Sequence, residues 1–500
     1  MPSPRLNRVF PAILALTAFV RLIGIAARPI WYDEAFAILF SSKGPAAMLY
    51  GTLTTTGAGA SDIHPLGYYT LLWLWMKIFG QSLVAVRSLS VIAGVLTIPP
   101  VYFLMRDFFN ERAALAASVF VALSPFHIHY SQEIRMYSFL ALWLTLAALA
   151  FFRGIRTGEI KWWVLFTLSA ALAQYTHNLA AFHLLPLAAI PLMRRDWKSL
   201  RAVFLAGLCA VLLYLPWLIR VPSQVAKISA AYWVDRPGLD KILTLLLVYV
   251  TNLPLPNTTA LFAGLFIALA AVSIGVMQTF RAGNRDENAL WLLYLTFAPP
   301  LFLFLFSQWI PVYIERALLP SGVIFCSWLA WSLLETRLPV AIRNGLILLL
   351  CVGVGLGLHQ HITYRGFPYA PYRELDASLR QRAEPGDLIL HASKATRLPM
   401  AYFDPSLPQT YIADPPGSKT DTLAPATQEV LGLIAMPDAA LATQGAERVW
   451  FIVLQTHTDA YIRLGYEDHP YLLEMAEEFD LQIVESWGDI RLHLFTRKAQ

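Results

Sequence analysis

Apolar runs of about twenty residues, the length a helix needs to cross a bilayer, alternate with short charged turns over most of this chain. They fall at residues 9–26, 85–105, 112–128, 137–153, 161–177, 179–193, 201–219, 257–278, 288–306, 316–334 and 341–358, and predict about 11 transmembrane helices. One further segment, residues 66–79, is shorter and carries Tyr68, Tyr69, Trp73 and Trp75. Aromatic residues collect at the membrane–water boundary, so this segment is expected to lie along the interface. A short stretch at 242–250 is expected to dip into the same region. Beyond Leu358 the pattern changes. Residues 365–500 are charged and broken by prolines, with apolar or alternating runs at 387–390, 449–454 and 491–495 and helical patterns at 372–382 and 472–479. Strands alternating with helices predict a small α/β domain. The expected fold is an α-helical polytopic membrane protein (residues 1–360, with a first outer loop at 29–84) followed by an α/β domain at 365–500.

Composition agrees with the pattern. The chain is 57% hydrophobic and 14% charged, with a mean hydropathy of +0.52, where a soluble protein carries about a quarter charged residues. The net charge of +5 would suggest nucleic acid in a soluble protein, but here it sits in the turns between spans, so no nucleic-acid partner is expected. Residues 1–27 read as a retained first helix, since no small-residue cleavage site follows. Cys209, Cys326 and Cys351 all lie in apolar runs without metal-ligand spacing and read as small hydrophobes.

The basic turns set the orientation. Arg5 and Arg8 precede the first span. Arg106 and Arg112, then Arg153, Arg156 and Lys161, then Arg194, Arg195, Lys198 and Arg201, then Arg281 and Arg285, and finally Arg337 and Arg343 occupy later turns. With eleven spans all of these share one face, which the positive-inside rule makes cytoplasmic. If residues 66–79 spanned, every basic turn from Arg106 onward would move outside. The loop at 29–84, a second at 220–257 and the C-terminal domain are then extracytoplasmic, on a multi-pass protein of the cell's inner (plasma) membrane.

Acidic residues and arginines converge on that outer face in four groups: Asp33-Glu34 just past the first span, Asp62-Ile63-His64-Pro65, the run Tyr130 to Tyr137 with Glu133 and Arg135, and Glu315-Arg316. Arg87 opens the second span at the same depth. Each has a plainer reading. Asp62 alone suits a helix cap, His64 alone a hydrogen-bonded interface residue, Glu133 and Arg135 an ion pair, and Arg87 and Arg316 snorkelling anchors. An acid pair against a span end is costly, and ionisable groups in membrane proteins tend to be functional. Carboxylates beside arginines suit a substrate with a phosphate and a lipid tail: the arginine fork grips phosphate and a carboxylate deprotonates an incoming hydroxyl.

At these residues the chain resembles a known family. Trp31-Tyr32-Asp33-Glu34 followed by Asp62-Ile63-His64-Pro65-Leu66 resembles the first-loop pattern of protein O-mannosyltransferases, an Asp-Glu and then Asp-x-His-Pro-Pro-Leu. The stretch from Phe79-Gly80 through Arg87 to Arg106-Asp107-Phe108-Phe109, and the run Leu123-Ser124-Pro125 to Tyr137, resemble the bacterial family 39 relatives. Those are membrane glycosyltransferases of the GT-C class, which includes lipid A aminoarabinose transferases. The resemblance is good over residues 20–140, looser through Arg316-Ala317-Leu318-Leu319-Pro320, and general in the C-terminal domain. It implies a polyprenyl-phosphate sugar as donor and a catalytic Asp at Asp33, with Glu34 beside it. Asp62, His64, Arg87, Glu133, Arg135, Tyr137 and Arg316 become the residues expected to bind donor or acceptor. Leu66 replaces the second Pro of the eukaryotic pattern, and the C-terminal domain reads α/β rather than β-trefoil. The acceptor is therefore left open among lipid, glycan and protein. No cofactor is certain; Asp62 and His64 could hold a divalent metal ion against the phosphate, and neutralisation by arginine alone is equally consistent. Two rivals come from other classes. A lipid-linked saccharide transporter would place ionisable residues mid-membrane on broken helices, and a non-catalytic membrane receptor would need only the C-terminal domain.

Overall fold

The computed structural model describes residues 6–54, 63–230, 234–281, 286–415 and 422–499. The chain divides into two compact units. One comprises Met1–Ile25 with Ser82–Thr363, the other Ala26–Gln81 with Tyr364–Gln500.

In the first unit each predicted span is helical. Among the described residues seven segments are long and apolar enough to cross a membrane: Leu83–Phe108, Tyr137–Thr157, Trp197–Leu218, Thr258–Phe280, Glu287–Phe306, Glu315–Leu334 and Val340–Thr363. An eighth is the pair Glu111–Leu123 and Pro125–Ser131, bent by 59°. The expected spans that remain are the shorter helices Leu6–Leu22, Ile160–Thr176 and Ala181–Met193. The chain is an integral membrane protein. The bend has a local cause. Proline disfavours a helical residue before it, so Ser124 turns extended (ψ 119°), and its hydroxyl accepts from the His127 N–H to start the next helix. Helix Glu315–Leu334 is the centre of the bundle, with 94% of its most apolar window buried, against 22% for Val340–Thr363. The peripheral helices leave leucines and phenylalanines such as Phe204, Phe266 and Leu348 exposed, as lipid-facing helices do.

The stretch expected to dip into the interface behaves differently. It forms the helix Asp240–Val250, and Leu245 to Val250 are all buried against Thr258–Phe280 and Val340–Thr363. Gly357 makes that packing feasible, since a Cβ there would stand 1.9 Å from the Thr251 carbonyl oxygen.

The second unit is built on a six-stranded sheet: β1 (Leu388–His391), β2 (Gln409–Ile412), β3 (Ala435–Met436), β4 (Arg448–Leu454), β5 (Phe479–Trp487) and β6 (Ile490–Arg497). Strand order is β3-β2-β1-β4-β6-β5, parallel from β3 to β4 and antiparallel for β6 and β5. The continuous apolar run of β4 follows from burial on both faces. Trp450, Ile452 and Leu454 join Leu375 and Leu379 of helix Tyr372–Arg382 on one side. Val449, Phe451 and Val453 join Tyr471 and Met475 of helix Pro470–Glu478 on the other. The described residues of 26–81 contribute three helices to this unit. Tyr32–Ser42 packs on Lys394–Phe403, and Pro45–Leu53 packs on Pro425–Leu431, where the Thr427 hydroxyl donates to the Gly51 carbonyl at 2.8 Å. The third, Gly67–Phe79, has 13 residues, about 20 Å at 1.5 Å per residue and short of a bilayer core. It starts two residues after Pro65, which is buried but not helical.

Candidate functional site

In the helical unit the run from Tyr130 to Tyr137 links the two halves of a tight polar turn. Ser131 donates to the His127 carbonyl at 2.6 Å and Ser138 to the Tyr130 carbonyl at 2.8 Å. Between them Gln132 donates through Nε2 to the carbonyls of Arg21 (2.7 Å) and Ile23 (2.8 Å). That fixes the amide, and its Oε1 accepts from His361 Nε2 at 2.7 Å. The turn is thereby tied to the end of the first helix and to the last turn of Val340–Thr363. The neighbouring span joins in: Ser90 donates to the Arg135 carbonyl at 3.4 Å, and Arg87 donates to the Ile25 carbonyl at 2.8 Å. Arg316 lies over the Tyr137 ring, 5.5 Å from its centroid, and Tyr130 and His177 flank the same ring at 5.2 and 5.8 Å. Ala317, next to Arg316, has its carbonyl within 3.1 Å of His183 Nε2, which holds the short 3-10 turn Glu315–Leu318. Arg87, Glu133, Arg135 and Tyr137 are all buried. Five of the expected site residues, from three separate stretches of sequence, thus lie in one unit: Arg87 and the turn of Glu133 and Arg135 at the end of the first helix, and Arg316 over Tyr137, which follows that turn.

The acid pair lies in the second unit. Asp33 and Glu34 fall in the first turn of Tyr32–Ser42, Glu34 fully buried and Asp33 half-buried. Acids at a helix N-terminus face the positive end of its dipole. The N-cap Trp31 makes no side-chain cap, so this pair is the acidic charge at that end. Around it the Arg28 guanidinium stacks on Tyr369 at 4.6 Å, Trp31 meets the same ring edge-on at 6.2 Å, and the Lys394 ammonium lies 5.7 Å from the Tyr32 ring centre. Phe36, Phe40 and Tyr69 form an aromatic cluster that fixes Tyr32–Ser42 on Gly67–Phe79.

Residues 63–219 match the family model described as dolichyl-phosphate-mannose-protein mannosyltransferase. The undecaprenyl phosphate-alpha-4-amino-4-deoxy-L-arabinose arabinosyl transferase of Pseudomonas aeruginosa (strain UCBPP-PA14) is 28% identical over 177 residues, 34% of this chain and 32% of its own length. The corresponding transferase 1 of Pseudomonas fluorescens is 25% identical over 316 residues, 58% of this chain and 54% of its own. The chain thus spans about a third of the first relative and about half of the second. The crystal structure of ArnT from Cupriavidus metallidurans bound to undecaprenyl phosphate superposes with a TM-score of 0.63 at 13% identity, covering 99% of this chain and 98% of that one. The chain has the GT-C fold and is family 39-like.

In the second unit His64 is half-buried in a bend before Gly67–Phe79. Asp62, its expected co-ligand, lies outside the described residues. Among the described residues no three His, Cys, Asp or Glu side chains lie close enough together to hold an ion.

Several polar residues of the GT-C core escaped the sequence reading. His177 falls near a turn, where the sequence alone gives it no role. It is buried, and its Nδ1 accepts from the Leu179 N–H at 3.1 Å, which leaves the proton of the neutral ring on Nε2. His361, in the last turn of Val340–Thr363, holds the Gln132 amide. Arg21 is a cation inside a predicted span, and that was the available signal. In the second unit Lys394 and Tyr369, more than 300 residues from Trp31 and Tyr32, carry no sequence signal at all.

Proposed function

We propose that this chain transfers a sugar from a polyprenyl-phosphate-linked donor to an acceptor on the extracytoplasmic face of the inner membrane, with inversion at the anomeric carbon. The observation that carries the reading is that Arg87 and the Glu133–Arg135 turn meet at the end of the first helix, with Arg316 over the following Tyr137, on a fold like that of an ArnT bound to undecaprenyl phosphate. Buried arginines are expensive unless paired or hydrogen-bonded, and a lipid phosphate is the anion that a membrane-embedded set of them suits. The relatives named as arabinosyl transferases support a sugar as the transferred group. The roles assigned are these. Asp33 takes the proton from the acceptor hydroxyl or amine as its oxygen or nitrogen attacks the anomeric carbon. The C–O bond to the lipid phosphate breaks on the opposite side. Glu34 orients the acceptor, Arg87, Arg135 and Arg316 hold the phosphate and the charge it gains on leaving, and Glu133, Tyr137, Asp62 and His64 bind donor or acceptor.

In this reading residues 1–360 form the transferase core and 365–500 an extracytoplasmic α/β domain. The acceptor is a lipid, a glycan or a protein, and nucleic acid is not a partner. The direct test is incubation of the purified full-length protein with a panel of radiolabelled polyprenyl-phosphate sugars. Donor hydrolysis or transfer is expected with at least one. Intact donors throughout, under conditions in which the protein binds undecaprenyl phosphate, would refute transfer and favour a lipid-linked saccharide carrier.

A further inference from the structure

Arg21 is wholly buried in the last turn of the first helix, and each of its five N–H groups is used. Nε donates to Ser131 Oγ at 3.1 Å. Nη1 donates to the carbonyls of Thr17 (3.1 Å) and Ala122 (2.9 Å). Nη2 donates to the Val121 carbonyl at 3.3 Å and meets His127 Nδ1 at 2.7 Å. A guanidinium has five donors and no more, so nothing is left for a substrate. We propose that Arg21 is the positioning residue for the Gln132–Arg135 turn, fixing the angle at which that turn leaves the membrane bundle so that Arg135 meets the donor phosphate. This rests on the donor reading given above.

The acceptors explain why. Val121 and Ala122 end one arm of the bent pair, and His127 and Ser131 belong to the other. One rigid fork therefore spans both arms of the 59° bend. The cation sits against the carbonyl end of Glu111–Leu123, where the helix dipole favours it. The turn grips back, because Gln132 donates to the carbonyl of Arg21 itself and to that of Ile23. Space for the knot comes from the facing helix: a Cβ on Gly94 would stand 2.3 Å from Ser131 Oγ and 3.1 Å from Arg21 Nε. Lysine keeps the charge but is a point donor and cannot bridge the two arms.

The test measures binding of undecaprenyl phosphate to the purified full-length protein and to Arg21→Lys, Gly94→Ala, Arg135→Ala and the double variant Arg21→Lys/Arg135→Ala, each with its thermal unfolding. Arg21→Lys is expected to weaken binding about tenfold in the folded protein, about 1.4 kcal/mol. Gly94→Ala, which removes no polar group, is expected to weaken it in the same direction. On the Arg135→Ala background Arg21→Lys should add less than about twofold, since groups in one network are non-additive. A merely structural Arg21 would lower the unfolding temperature and leave the affinity of folded protein unchanged. Wild-type affinity in both Arg21→Lys and Gly94→Ala, or additive losses in the double, overturns the proposal. If Arg21→Lys does not fold, Gly94→Ala alone decides. Wild-type protein that fails to bind the lipid phosphate refutes the donor reading itself, whereas binding weakened by Arg135→Ala alone refutes only the role of Arg21.

Discussion

Asp33→Asn separates two roles that a carboxylate at this position can play. Asp33 lies in the first turn of Tyr32–Ser42, a helix whose N-cap Trp31 supplies no side-chain acceptor. A negative charge there stabilises the helix by roughly 0.3–1 kcal/mol, and asparagine forfeits that charge while keeping shape and hydrogen bonding. If helix support is the whole role, unfolding shifts by a degree or two and turnover stays within about fivefold of wild type. If Asp33 is the general base, turnover falls by about 10² to 10⁴, or about 3–5 kcal/mol of barrier at 1.36 kcal/mol per decade. The two outcomes differ by more than the error of either measurement. Turnover of a radiolabelled polyprenyl-phosphate sugar and thermal unfolding are read on the same preparations, with donor affinity as a control that should not move. Glu34→Gln should cost less turnover if Glu34 only orients the acceptor. Near-normal turnover in Asp33→Asn would sink the assignment, and a product that keeps the donor's anomeric configuration would sink the single displacement.

Other consequences can be checked separately. His391, at the end of β1, is pushed down to about 3 by burial and by the Arg397 guanidinium, and His469 is pushed down to about 3 by burial and then by His457. The unfolded chain takes up these protons below about pH 6.5, so their stabilisation is complete above that pH and is lost as pH falls toward 3, by about 2 kcal/mol each at about pH 5. Hydrogen exchange of β1 in the full-length protein, corrected for intrinsic rates, should show protection falling between pH 7 and 5 and falling less in His391→Gln; pH-independent protection refutes it. With the exposed Cys209 and Cys351 replaced by alanine, a membrane-impermeant thiol reagent should label Cys at the exposed Gln444 in intact cells, and at Lys198 only after permeabilisation. The reverse order overturns the topology. Arg316→Lys keeps a cation over Tyr137 but loses the fork, and should weaken undecaprenyl phosphate binding by about tenfold, the range of one charge-assisted hydrogen bond; equal affinity with either cation removes Arg316 from the phosphate site.

The spans were legible because hydropathy averaged over about twenty residues needs no knowledge of packing. Shorter elements lack that advantage. Residues 242–250 read as interfacial, yet Leu245 to Val250 are buried in protein, because an apolar run looks the same facing lipid or a neighbouring helix. Only Gly353 and Gly357, one turn apart on the helix that crosses it, hinted at close packing. In the α/β unit β1, β4 and β6 showed as apolar runs and helix Tyr372–Arg382 appeared with its observed bounds. β5 did not: it is an edge strand with Leu481 and Val484 exposed, so burial never imposed a period-two pattern on it. The grouping of residues 26–81 with 364–500 was beyond reach, since it rests on pairs such as Tyr50 with Glu429, 379 positions apart.

The same limit governs the candidate site. Charges in an apolar chain stood out, so Arg87, Glu133, Arg135 and Arg316 were found from sequence, and the helical unit does gather them. What the charge pattern could not supply was the set of acceptors that each buried cation meets in the fold. Counting basic residues for orientation treats a snorkelling arginine and a buried one alike. Arg21 and Arg87 are both fully buried near the end of the first helix. Arg21 spends all five N–H groups on protein acceptors that straddle a helix break, whereas Arg87 takes the carbonyl of Ile25 just past the helix end. The role of each follows from where its hydrogen bonds go, and that depends on which chain segments the fold brings to the guanidinium. A sequence reading can therefore nominate the arginines of such a site, and only the packed bundle shows which acceptors each one meets.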